Sequence, residues 1–289
     1  GPAGSSAAYH MATLGLDVIL LEKQELGRDK VCGDGLTPSA VRELVSMGVD
    51  TSGWQRNRGL RVIGGGHLLH FPWPEQASFP SYGMARPRAL LDRDLAEHAA
   101  AAGARLLTGV TVTGPVTSPT GRVTGVEARP TNRVAYPGIE APTTFTAPLV
   151  IDAGGVSARL ATAVGRTKNE RRPMGVAVRA YFRSPRAKDA WMESRLELWD
   201  GKPGKSDLLP GYGWIWSVGE GLVNVGLGSV SSRASATAID YRAVFNRWMD
   251  NVPASWGFTK ENQVGGLVSA ALPMAFNRKP HYADGLMLL

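Results

Sequence analysis

The opening stretch constrains this chain most. Gly1-Pro2-Ala3-Gly4 leads into a run of small residues with Met11 and Leu14, ending at Gly15, and Asp17 to Leu21 is a short apolar strand closed by Glu22. A glycine turn, a helix, a strand and then a carboxylate form the later part of the fingerprint by which α/β proteins hold dinucleotides. In that reading Gly1 and Gly4 take the second and third glycine positions. Gly1 lets the backbone approach a pyrophosphate, and Gly4 lets the helix pack close to the sheet. Pro2 and Ala3 lie at the helix N-terminus, whose N–H groups and positive dipole suit phosphates. Glu22, 21 residues after Gly1, stands where a carboxylate accepts from ribose hydroxyls. The first strand and first glycine of the fingerprint are missing. A small-residue helix followed by a strand is also common without any ligand, so the half-motif alone leaves both readings open.

Further along, Thr37-Pro38 supplies a capping hydroxyl and a proline suited to the first turn of a helix. That helix has an apolar face of Val41, Leu44 and Val45 and stops at Gly48. Segments 59–71 and 104–112 read as strands. The helix between them, from about Pro87 to Gly103, carries Leu91, Leu95 and Ala99 at helical spacing. Leu149-Val150-Ile151 is another apolar strand, ending in Asp152-Ala153-Gly154-Gly155. From about 173 to 230 the chain becomes β-rich (175–182, 194–199, 214–218, 222–227), which predicts an antiparallel sheet in a second layer or domain. An amphipathic helix follows near 239–250, and the chain ends on the apolar strand Gly285-Leu286-Met287-Leu288-Leu289.

Composition removes several classes. At 289 residues and 43% apolar, the chain can bury a large core, in two units or one large α/β unit. Its net charge of +7 comes from 32 basic against 25 acidic side chains spread along the sequence, and the tightest cluster, Arg171-Arg172, is only a pair. A nucleic-acid binder would show a basic stripe with interleaved aromatics, so no nucleic-acid partner is expected. The single cysteine, Cys32, excludes an intramolecular disulfide and a multi-cysteine zinc site, and fits a reducing cytoplasm. The histidines have no ligand spacing, and no metal is expected. No run of about 18 apolar residues is present, and no signal peptide is visible.

Five segments together resemble the geranylgeranyl reductase family of FAD-dependent oxidoreductases. Lys30-Val31-Cys32-Gly33-Asp34-Gly35-Leu36-Thr37-Pro38 is similar to the family's signature after the second strand, and Arg88-x-x-Leu91-Asp92-x-x-Leu95 to a helix start. Ile151-Asp152-Ala153-Gly154-Gly155-Val156-Ser157 resembles its second flavin motif. Leu209-Pro210-Gly211-Tyr212-Gly213-Trp214-Ile215-Trp216 looks like the substrate-cavity motif, with Trp216 in place of the usual Phe. Gly285 to Leu289 resembles the strand that leads into a Gly-Asp-Ala flavin motif. Within the family the likeness is to actinobacterial menaquinone (isoprenyl side-chain) reductases, supported by Phe79-Pro80-Ser81-Tyr82-Gly83 and Trp256-Gly257-Phe258-Thr259.

The resemblance implies an α/β Rossmann-like FAD-binding domain of the aromatic-hydroxylase type with an antiparallel β-sheet substrate domain (an α+β insert). The chain reads as a fragment truncated at both ends. The expected layout is FAD-binding over 1–58, bordering strands over 59–85, FAD-binding again over 86–170, substrate-binding over 171–264 and a return over 265–289. The implied cofactor is FAD, contacted by Gly1, Pro2, Ala3, Gly4, Glu22, Lys30, Gly33, Asp34, Gly35, Arg88, Asp152, Gly154 and Gly155. The implied reaction saturates a carbon–carbon double bond of an isoprenoid chain, a geranylgeranyl group or a menaquinone side chain.

Each site residue also has a plainer reading. Cys32 is the candidate proton donor or a small buried apolar residue; Asp34 is a site residue or a turn residue between two glycines. Arg88 is a flavin contact or an ordinary helix start. Tyr212, Trp214 and Trp216 alternate along a strand and share a face, either sheet core or a flat wall for a polyprenyl chain. The expected partners are an isoprenoid lipid or prenylquinone and an external electron donor, NAD(P)H or a redox protein. The lipid substrate implies peripheral contact at the inner face of the cell membrane. Two other functions fit part of the pattern: an FAD-dependent monooxygenase of an aromatic substrate, and a non-catalytic lipid-binding protein with a decayed flavin site.

Overall fold

In a computed structural model the described residues are 1–131, 142–169, 172–231, 239–273 and 278–289. Arg171 of the basic pair lies outside them, as do stretches inside the expected segments 86–170, 171–264 and 265–289. Two compact units divide the chain: 1–28, 89–172 and 275–289 form one, and 29–88 with 173–274 form the other. Residues 29–58, grouped from the sequence with the nucleotide-binding part, thus lie in the second unit.

The first unit is built from helices and short parallel strands. Strand Ile19–Leu21 pairs parallel with Arg105–Leu107, and Val150–Asp152 pairs parallel with Leu286–Leu288. Helices Pro2–Thr13 and Arg88–Ala101 supply Ala8 and Ala99, which pack with Val18 and Ala104. Alanine at these contacts lets the helices lie close to the strands. An antiparallel sheet of Val110–Thr117, Val123–Pro130 and Thr143–Thr146 completes the unit. The expected strand at 104–112 is interrupted, because Gly109 takes a φ of +66° between two strands.

The second unit centres on a seven-stranded sheet. Its spatial order is Gln263–Pro273, Met174–Arg183, Leu222–Ser231, Gly211–Gly219, Trp191–Arg195, Gly59–Gly64 and His67–Pro72. All pairs are antiparallel except Trp191–Arg195 with Gly59–Gly64. The expected strand at 59–71 is a hairpin, turned by Gly65 and Gly66, both at positive φ.

Alternation gives the sheet two unlike faces. On one, Val178, Ala180, Phe182, Ile215, Val223, Val225 and Leu227 pack against Tyr241, Val244, Phe245 and Trp248 of helix Tyr241–Met249. The other face carries Arg179, Tyr181, Trp214, Trp216 and Asn224, since Arg179 and Trp214 both register with Gly226, and Tyr181 and Trp216 with Asn224. Helix Pro38–Ser46, capped by Thr37, buries Val41 and Leu44 as expected. Val45, placed on that face by the sequence, is 55% exposed, and Met47, just past the helix end, is buried instead. Among the described residues no helix is long and apolar enough to cross a membrane.

Candidate functional site

In the first unit the glycine turn is built for close approach. Gly1 is the N-cap of its helix and its carbonyl accepts the Ser5 N–H at 3.0 Å. Pro2 takes the first helical position, where a missing N–H costs no helix bond, and Ala3 follows. A Cβ on Gly4 would stand 3.1 Å from the Ala153 Cβ, so a side chain there would press the helix away from the loop after Val150–Asp152. The neighbouring Ser5 hydroxyl is buried and has no hydrogen-bond partner among the described residues. Glu22 is anchored through its backbone to Leu107 and Val110, while its Oε1 accepts the Gln24 N–H at 3.0 Å.

Asp152 is buried at the end of its strand. Its Oδ1 accepts the Gly154 N–H and its Oδ2 the Ala161 N–H, both at 2.9 Å, which ties the strand to helix Arg159–Ala163. A Cβ on Gly154 would stand 2.8 Å from that Oδ1, and Gly155 has a φ of +63°. The loop is therefore fixed in shape by an acid that the sequence suggested for the cofactor itself.

In the second unit residues 29–35 lie on the aromatic face of the sheet. The Trp216 indole N–H donates to the Gly33 carbonyl at 2.6 Å, and a Cβ on Gly33 would stand 2.8 Å from the Trp216 ring. Gly35 is equally tight against Met192. Arg179, fully buried, donates to the Lys30 carbonyl at 3.0 Å, pairs with Asp29, and lies 4.1 Å from the Tyr181 ring centre. The Asn224 amide donates to the Cys32 carbonyl at 2.9 Å and to Asp34 Oδ2 at 2.8 Å. Cys32 is half-buried, and its Sγ accepts the Asp34 N–H at 3.3 Å.

Asp34 is 1% exposed and has a φ of +63°. Oδ2 also accepts the Tyr181 hydroxyl at 2.5 Å, and Oδ1 accepts the Arg88 N–H at 3.1 Å. Burial pushes its carboxyl up to about 6, despite the opposing hydrogen bonds of Tyr181 and Asn224 and the charge of Arg179. Burial, and then the Asp34 charge, raises the Tyr181 phenol above its ordinary value. The three aromatic residues share a face as expected, with ring centres 5.9 and 6.0 Å apart. They differ in role: Trp214 is buried and donates to Asn224 Oδ1 at 2.8 Å, Trp216 holds the loop, and Tyr212 is 44% exposed.

A second ionic cluster lies among Arg61, Asp189, Arg186, Glu193 and Arg195 of the same unit. Arg61 and Arg186 each reach Asp189 at 2.6 Å, and Arg186 and Arg195 each reach Glu193 at 2.8 Å. Burial acts to raise both acids, but the guanidinium hydrogen bonds and charges prevail and hold both below their ordinary values. Trp256, from the sequence motif Trp256-Gly257-Phe258-Thr259, lies 4.2 Å below Arg186 and 5.2 Å below Arg195. In the motif Phe79 to Gly83, Arg42 covers Phe79 and Arg56 covers Tyr82. Among the described residues no group of His, Cys, Asp and Glu is arranged to hold a metal ion.

The family of the FAD binding domain matches residues 1–238. The chain belongs to that family. The menaquinone reductase of Mycolicibacterium smegmatis is 36% identical over 278 residues, covering 95% of this chain and 63% of that protein. Digeranylgeranylglycerophospholipid reductase 1 of Methanosphaera stadtmanae is 29% identical over 249 residues, covering 83% of this chain and 55% of that protein. In fold, a geranylgeranyl bacteriochlorophyll reductase-like protein from Thermoplasma acidophilum superposes with a TM-score of 0.79 at 24% identity, covering 100% of this chain and 68% of that one. The chain therefore spans under two thirds of the length of these two reductases.

The first unit fits the FAD of this family. The Gly4 contact lets the helix approach the strands, the buried Ser5 hydroxyl retains an unused hydrogen-bonding capacity, and Gly154 and Gly155 leave a loop with no side chains. Sequence reasoning missed Arg179, Tyr181 and Asn224. The available signal was a polar residue inside otherwise apolar strands, as in Val223-Asn224-Val225.

Proposed function

We propose that the protein is an FAD-dependent oxidoreductase that saturates a carbon–carbon double bond in an isoprenoid chain of a prenylquinone or geranylgeranyl lipid. The observation that carries this reading is the similarity, over nearly the whole chain, to a relative named menaquinone reductase, joined to the aromatic face on which the Cys32 loop lies. Gly1, Pro2, Ala3, Gly4, Glu22, Asp152, Gly154 and Gly155 of the first unit would hold the cofactor. FAD supplies hydride transfer when bound.

The chain's own residues have simpler tasks. An isolated alkene carries only methyl groups and a π bond as handles, so orientation must come from apolar walls. Tyr212 offers such a surface, and Trp214 and Trp216 stiffen it by their own hydrogen bonds. Cys32 delivers a proton from its Sγ to the substrate carbon next to the one reduced. Reducing equivalents come from NAD(P)H or a redox protein, and the protein meets its lipid at the inner face of the cell membrane.

The test is reduction of the purified full-length protein followed by incubation with a prenylated quinone. A product heavier by one H2 unit, and loss of turnover in Cys32→Ala with FAD still bound, is the expected result. Oxygen-dependent hydroxylation would replace this reading with a monooxygenase. Failure to take up FAD would replace it with a lipid-binding role.

A further inference from the structure

Glycine would adopt the left-handed conformation of residue 34 without strain, and aspartate is among the few other residues that tolerate it. What glycine could not do is satisfy three donors that converge from three different elements. Tyr181 comes from strand Met174–Arg183, Asn224 from strand Leu222–Ser231, and the Arg88 N–H from the start of helix Arg88–Ala101. We infer that Asp34 is a positioning residue whose carboxyl group fixes the 29–35 loop against the aromatic face of the sheet and so sets where the Cys32 thiol stands. What that position is for rests on the proposed proton-donor role of Cys32; how it is held rests on the geometry.

Asn224 makes the arrangement directional. The Trp214 indole N–H can only donate, so it requires the carbonyl oxygen of the amide on its side. The two N–H donors then point the other way, one to the Cys32 carbonyl and one to Asp34, so a single amide grips the loop on both sides of Gly33. Asp34 in turn donates its own N–H to the Cys32 sulfur.

The charged and titratable groups around Asp34 are Tyr181 and Arg179 from one strand, Arg86 ahead of the helix and Arg88 at its start, and Asp29, Lys30 and Cys32 in its own loop. The Arg86 N–H donates to the Asp34 carbonyl at 3.0 Å, and Arg179 pairs with Asp29, acting on Asp34 through its field. Burial makes the closed loop hold the Asp34 proton more tightly than a loop lifted into water would. Linkage then fixes the sign: ionisation of Asp34 as pH rises through about 6 loosens the closed state.

Cys32 is the only cysteine, so its alkylation by N-ethylmaleimide reports on this loop alone. The rate is divided by that of the urea-unfolded protein at the same pH, which removes the pH dependence of the thiol itself. The normalised rate of the unmodified protein should rise about tenfold between about pH 5 and about pH 7.5. Asp34→Asn, which tolerates the same backbone and cannot ionise, should show no rise. Tyr181→Phe should label several-fold faster than the unmodified protein at neutral pH, whereas Val244→Ala, which weakens the core on the opposite face, should label at the unmodified rate.

A flat normalised profile in the unmodified protein, a rise retained in Asp34→Asn, or equal acceleration by Val244→Ala and Tyr181→Phe would overturn the inference. If Asp34→Asn fails to fold, the unmodified profile and the Tyr181→Phe and Val244→Ala pair still decide. Labelling does not depend on turnover. An active Cys32→Ala protein would remove the proton-donor role while leaving the loop anchor intact, and a flat labelling profile with an inactive Cys32→Ala would do the reverse.

Discussion

Asp34 and Glu193 are both almost wholly buried in the sheet unit, at 1% and 2% exposure, yet their surroundings move them in opposite directions. Glu193 is touched by three guanidiniums, Arg61, Arg186 and Arg195. Asp34 is touched by a phenol, an amide and a backbone N–H. Neutral donors stabilise a carboxylate less than charged ones do, and in the dry interior that difference decides whether burial prevails. The lesson is that depth alone does not assign charge; the kind of donor does. One cluster is a fixed ionic tie, and the other is left able to change its proton within an ordinary pH range.

The sharpest way to break the comparison is to remove the acid of the ionic tie. Glu193→Leu should cost about 3 kcal/mol, because it leaves Arg195 without its carboxylate and Arg61 and Arg186 to share Asp189 alone; urea unfolding of the purified protein would show it as a lowered midpoint. Tyr181→Phe should cost about 2 kcal/mol at neutral pH, the scale of one hydrogen bond to a charged group, and less at about pH 5, where Asp34 is protonated.

The pH profile separates the clusters without any mutation. Asp34 is raised, so its neutral form favours the folded state, and stability from this group should increase by about 1 kcal/mol on going from about pH 7 to about pH 5. Asp189 and Glu193 are lowered, so their contribution is present above the ordinary carboxylate range and is lost as pH falls below it. Thermal midpoints across that range should therefore pass through a maximum, and Asp34→Asn should remove its neutral-side slope. The smallest effect is expected at the exposed pair Arg247–Asp200, where Arg247→Ala should change stability by under about 1 kcal/mol in the same unfolding assay.

What the sequence showed and what it hid divide along the same lines. The glycine turn, Glu22 and the Asp152-to-Gly155 loop were legible because they are local: each needs a particular residue type at a short spacing. Helix Pro38–Ser46 was legible from its cap, but Val45 was misplaced because the helix ends so soon that Met47 takes the inward position. The 59–71 hairpin was read as one strand because its apolar residues run on either side of Gly65-Gly66, whose backbone turn leaves no trace in an apolar count. The partners of Asp34 were hidden for a different reason: Tyr181 and Asn224 are 147 and 190 residues away. The aromatic alternation at 212–216 was read correctly as one face, and only the fold reveals that the two tryptophans spend their N–H groups on Asn224 and Gly33.

Gly226 lies beneath the Trp214 ring, where a Cβ would come within 2.3 Å of it. Sliding these two strands by two residues is the smallest error that keeps every side chain on its own face. In one direction the indole would be driven onto Asn224, which has no such opening. In the other, Trp216 would take both the vacant place and the Asn224 amide, but its own N–H would leave the Gly33 carbonyl that it now holds. A missing methyl group and one loop carbonyl thus proofread strand alignment from opposite sides, and the chain reaches its correct pairing by having each wrong neighbour refused.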